Sequence, residues 1–143
     1  MKTVALRFGE HFSPACGTIA AHEKIINTVG YVWYGKMGAA LSRSIIETIM
    51  SSESPRILLI RSGKAERYWA EIEAIQHEKP EMSAIPEYYR DKAEAFKTWF
   101  KVKRFVCAEK DVMGKCQVAS SGRILRDASK HSMSPYFIIE YKG

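Results

Sequence analysis

The chain has 143 residues, 46% of them hydrophobic, with 22 lysines and arginines against 16 acidic residues and a formal charge of +6. That length supports one domain with a proper core and is too short for two ordinary ones. The basic balance, with a pI near 9.3, leans toward a polyanionic partner, and nowhere does an uncharged run reach the length needed to span a bilayer.

At the N-terminus a short apolar alternation is interrupted by Arg7 and Glu10 before a signal-peptide core can form, so a soluble, cytoplasmic protein is expected. Cys16, Cys107 and Cys116 are odd in number and lack CxxC spacing, which suggests neither a disulfide framework nor a zinc ribbon and fits a reducing compartment. The alternation of Val4, Leu6 and Phe8 with Thr3, Ala5 and Arg7 predicts a first strand over Thr3 to Phe8. After the turn-like Ser13 to Gly17, Thr18 is placed to cap a helix that carries Ile19, Ile25, Ile26 and Val29 on one side and stops at Gly30.

That helix leads into Gly30-Tyr31-Val32-Trp33-Tyr34-Gly35-Lys36-Met37-Gly38, predicted as a strand over Tyr31 to Tyr34 ended by a glycine turn. Leu41, Ile45, Ile46 and Ile49 then predict a helix over about Leu41 to Ser51. Ile57 to Ile60 and Glu66 to Ile75 predict a hairpin through Ser62-Gly63-Lys64. Lys79 to Asp91, with two prolines and Tyr88-Tyr89, is expected as an exposed loop with a short helical turn, where a protein partner could meet the chain. Thr98 to Glu109 predicts a strand with a basic side, Gln117 to Ser120 a weaker strand, and Tyr136 to Tyr141 the last. Strand, helix, strand, helix and then a run of strands is an α+β order, expected as a small curved or closed, mostly antiparallel barrel flanked by two or three helices.

The aromatic segment carries the chemistry of a clamp for a flat ligand, since glycines permit close approach, rings offer stacking faces and Lys36 can meet a phosphate. A buried strand ended by a turn accounts for the same residues. The glycine spacing matches neither a dinucleotide nor a P-loop fingerprint. His11, His22, His77 and His131 have no helical i, i+4 pair, and neither a metal nor a cofactor is expected. Cys16, ahead of a helix start, with His22 as base would make an alternative small-molecule or nucleotide-binding enzyme using the Trp33 and Lys36 pocket, although a structural cysteine serves equally. Glu71 and Glu73 share a strand face as ordinary surface carboxylates. Basic residues interleaved with rings are the stronger pattern: Lys97, Lys101, Lys103 and Arg104 surround Trp99, while Lys115, Arg123, Arg126 and Lys130 gather in a serine-rich segment. A solvated strand face around a core tryptophan is the plainer alternative.

Tyr31-Val32-Trp33 followed by a helix, the hairpin Ile57 to Gly63 into Tyr68-Trp69-Ala70-Glu71-Ile72, and then Thr98-Trp99-Phe100-Lys101-Val102 together resemble the PUA-like superfamily, and within it the EVE and YTH-like domains. The resemblance covers about residues 30 to 141 and follows element order more than invariant residues. It implies one PUA-like domain over residues 1–143, with 1–29 as a family-specific strand-helix cover, and a module that reads a base, modified in several such families, on RNA or DNA. On that likeness Trp33, Trp69 and Ser62 would contact the base, and Arg104, Arg123 and Lys130 would hold phosphates; the aromatic segment adds Tyr34 and Lys36 as ligand residues, and the basic strand adds Lys101 as a phosphate contact. Trp69 lies inside a strand where a smaller residue or phenylalanine is expected, a departure from the pattern.

Overall fold

A computed structural model describes residues 1–8, 17–61, 66–132 and 134–143. Its strands are β1 (Lys2–Arg7), β2 (Val32–Lys36), β3 (Arg56–Ile60), β4 (Arg67–Gln76), β5 (Thr98–Cys107), β6 (Cys116–Val118) and β7 (Tyr136–Tyr141). The helices are α1 (Thr18–Val29), α2 (Arg43–Met50) and α3 (Leu125–His131), joined by short 3₁₀ segments at Met82–Ala84, Glu87–Ala95 and Val112–Gly114. The turn Ser62-Gly63-Lys64 lies outside the described residues, as do Cys16 and His11.

All seven strands form one sheet in the order β2-β5-β4-β3-β1-β7-β6. Among the described residues only β1 with β3 is parallel; the other neighbours, including β3 with β4, run antiparallel. Among the described residues the edges β2 and β6 do not pair, so the sheet is curved and open rather than closed. Shifts of register in β4 between Glu71 and Ile72 and between Ile72 and Ala74 add a bulge where β4 meets β5, which bends long strands. The described residues among 1–29 supply β1, a central strand between β3 and β7, and α1.

Side-chain alternation sends each strand's neighbours to opposite faces. Val4, Leu6, Val32, Tyr34, Ile57, Leu59, Phe100 and Val102 line one face, against which Ile19, Ile25 and Ile26 of α1 and Ile45 and Ile46 of α2 pack. The other face is divided: Leu58, Trp69, Phe137 and Ile139 lie under α3 and Val112–Gly114, whereas Trp33 and Trp99 lie under Ala84, Ile85, Tyr89 and Phe96. Local signals agree with most helix ends. Gly30 takes φ +100° and donates its N–H to the Ile26 carbonyl, and the Ser42 hydroxyl accepts the Ile45 N–H at 3.3 Å. Thr18 is instead the first helical residue, with Gly17 at the cap. Strand β2 runs through Gly35 and Lys36 where a turn is predicted, because both pair with β5, at Trp99 and Thr98. Helix α3 falls in the serine-rich segment that shows no helical period.

Candidate functional site

A cavity of about 350 Å³ is lined by the C-terminal ends of β1 and β2 with Phe8 and Met37 that follow them, by residues of Glu87–Ala95 with Phe96, and by Thr18 of α1 and Pro135. Its walls combine the rings of Phe8, Tyr34, Tyr88, Tyr89 and Phe96 with the cationic side chains of Arg7, Lys36 and Lys92. Among the described residues no carboxylate lines it.

Each wall has a local cause. Phe96 lies across Gly35, where a β-carbon would come 2.7 Å from the ring, and Trp99 backs it edge-on at 5.2 Å between centroids. Tyr89 packs on Phe96 at 5.0 Å, and burial together with Tyr34 and Tyr88 raises its phenol well above the ordinary range, keeping it neutral. Lys36 is only 3% exposed; its ammonium donates to the carbonyls of Met37 at 3.0 Å and Ala39 at 2.5 Å and lies 4.0 Å from the Tyr136 ring centre. Those partners are neutral, and burial lowers its pKa. The Arg7 guanidinium donates to the carbonyls of Ser129, Ser132 and Ser134, beside the lining residue Pro135.

Behind the tyrosines His22 is fully buried, its ring 5.0 Å from Tyr34 and 4.9 Å from Tyr89. Nδ1–H donates to the Thr18 carbonyl at 2.8 Å, leaving Nε2 as an acceptor with no hydrogen-bond partner among the described residues. Burial holds its pKa at about 4, so the imidazole is neutral near pH 7 and sealed from the cavity. Among the described residues no group of histidine, cysteine and carboxylate side chains is arranged to hold a metal ion.

The residues singled out from sequence are distributed as follows. Tyr34 and Lys36 line the cavity. Trp33, 5% exposed, points to the opposite face of β2, in the cluster with Trp99 and Phe96. Trp69, 3% exposed, lies in the other cluster under α3, stacked on Arg56 at 4.0 Å and donating to Glu109 at 3.3 Å. The two indoles therefore share no pocket. Glu109 also accepts from the Tyr141 hydroxyl, and these donors hold its carboxyl down at about 2. Ser62 lies outside the described residues. Lys101 covers the Tyr31 ring at 4.4 Å, and Tyr31 donates to Glu81 at 2.5 Å, which lowers the Glu81 carboxyl. Arg104 is paired with Glu71 at 2.6 Å. Arg123 and Lys130 are exposed and neither lines the cavity. Tyr88 and Tyr89 turn inward on His22 rather than outward. Arg7, Phe8, Lys92 and Phe96 were missed; the one trace in the sequence was the grouping of Tyr88, Tyr89, Lys92 and Phe96 within nine residues.

A family model described as Pua-like matches residues 4–135. The chain belongs to the Pua-like family. That family is generally associated with RNA binding. Neither a curated protein nor a solved structure matches the chain. Among the described residues no helix is long and apolar enough to cross a membrane.

Proposed function

We propose that this Pua-like protein is a non-catalytic nucleic-acid-binding module that admits one unstacked base to the cavity and holds neighbouring phosphates with the surrounding cations. The composition of the cavity wall carries the reading: five aromatic rings and three cationic side chains meet there, with no carboxylate among the described lining residues. Rings stack on any base face, and cations draw the phosphodiester chain. A volume of about 350 Å³ is at the small end of ligand pockets, roughly 300–1,000 Å³, and suits a single nucleoside. A wall of rings and cations, with no carboxylate among the described lining residues, disfavours a cationic base. The likeness to EVE and YTH-like domains supports a modified base as the preferred occupant.

Equilibrium binding to fluorescein-labelled mixed-sequence RNA and DNA single strands tests this. Affinity should fall steeply with salt, and Tyr88→Ala or Lys92→Ala should weaken it roughly 5- to 100-fold, the range for loss of one stacked base or phosphate contact. Arg104→Ala should leave it nearly unchanged, because Glu71 already offsets that charge. Absence of binding at low salt, or affinity indifferent to salt, refutes the proposal. A panel of strands, each with one modified base, then separates a modified-base reader from a general binder.

A further inference from the structure

We propose that the open groove beside α3 is a second binding site, a track for the sugar–phosphate backbone of the nucleotides that flank the base in the cavity. The inference rests on the reading above. The groove, about 630 Å³, is lined by Lys2, Arg123 and His131 and by the hydroxyl-bearing Ser120, Ser121 and Ser132. Among the described residues no carboxylate lines it either. Asp127, the acidic residue of α3, is turned to its neighbour Arg126 at 4.0 Å. Hydroxyls and cations without acids make a wall that donates to phosphate oxygens from many directions and reads no base.

The two recesses share a rim. Pro135 lines the cavity, while Ser134 and Tyr136 on either side of it line the groove. The rim is held stiffly: the Arg7 guanidinium donates to Ser132 and Ser134, its backbone N–H donates to Pro135, and the Ser134 hydroxyl donates to the Tyr136 carbonyl at 2.7 Å. The Tyr136 ring also carries the Lys36 ammonium of the cavity. A strand whose base enters the cavity thus leaves over a rim already fixed in place and meets the cations and hydroxyls of the groove.

Two strand lengths separate the sites. A trinucleotide reaches little beyond the cavity, whereas a mixed-sequence 12-nucleotide strand, RNA or DNA, runs along the groove. The variant Lys2→Ala/Arg123→Ala removes two exposed cations and is compared with Lys24→Ala/Lys110→Ala, which removes two exposed cations elsewhere. Binding of the 12-nucleotide strand should weaken on the order of tenfold in the groove variant alone, with the slope of log K against log salt shallower by about 1.4 for two lost phosphate contacts. Binding of the trinucleotide should not change. Equal effects of the two variants on the longer strand, or an unchanged salt slope, overturn the track and leave the cavity reading standing. Loss of 12-nucleotide binding through Tyr88→Ala with no loss through the groove variant does the same. No binding of either strand by the unaltered protein overturns both.

Discussion

Replacing Gly35 by alanine tests the packing that shapes the cavity. A β-carbon there would come 2.7 Å from Cγ and Cδ2 of Phe96 and 3.1 Å from Cζ3 of Trp99. Carbon atoms rest about 3.5–4.0 Å apart, so the Phe96 ring must retreat by about 1 Å. It has little room, since it is 7% exposed and packed between Trp99 and Tyr89. Overpacking of this kind costs about 1–3 kcal/mol. For a chain of 143 residues each kcal/mol moves the melting temperature by about 3 °C, so Gly35→Ala should melt roughly 3–9 °C lower. Because Phe96 and Tyr89 line the cavity, nucleic-acid affinity should fall as well. Trimming the ring provides the check. In a double-mutant cycle by urea denaturation, Phe96→Leu should cost less in the Gly35→Ala background than in the unaltered protein, with a coupling of about 1–2 kcal/mol. A stability loss under about 0.5 kcal/mol for Gly35→Ala, or strict additivity with Phe96→Leu, would show that the ring does not press on this strand.

Two further outcomes follow from the same core. His22 is held at about 4 by burial, against 6.5 when exposed, with the rings of Tyr34, Tyr88, Tyr89 and Phe105 around it. Between those values the unfolded chain binds a proton that the folded chain refuses, so stability should decline as pH falls from 6.5 to 4, by about 3 kcal/mol in all. The Glu109 carboxylate, held at about 2 from 4.5, contributes stability that is lost as pH falls from 4.5 to 2, so it overlaps only the lowest part of that window. Urea denaturation at several pH values should show the decline and its flattening in His22→Gln; a flat profile for the unaltered protein would contradict the buried neutral imidazole. Trp33→Ala should cost about 3–5 kcal/mol, as for a buried aromatic side chain. If its denaturation midpoint hardly moves while nucleic-acid affinity drops more than tenfold, the indole faces ligand and not core.

Element order was legible because each element carries its own period and stop signal. Val4 and Leu6 mark β1, Gly30 ends α1, and the segment from Tyr136 to Tyr141 is β7 in full. Helix α3 escaped notice because its two buried residues, Leu125 and Ala128, make too short a period to stand out among polar neighbours. The continuation of β2 through Gly35 and Lys36 was hidden for a different reason: glycine there answers to the rings of Phe96 and Trp99 from distant segments, and not to a local turn.

The candidate site divides in the same way. Composition and local pattern determined a basic, ring-rich chain, element order carried the likeness to the Pua-like family, and the aromatic segment singled out Tyr34 and Lys36 as ligand residues. Which rings meet was decided by the tertiary structure alone. Neighbouring residues on a strand point to opposite faces, so Trp33 and Tyr34 cannot share a wall, and strand register parts Trp33, opposite Lys101 of β5, from Trp69, opposite Val106. The cavity needs Arg7, Lys36, Lys92 and Pro135, drawn together from four separate stretches of chain by strand pairing and by the Arg7 hydrogen bonds. No local period encodes such a meeting, since its cause is the packing of surfaces far apart in sequence.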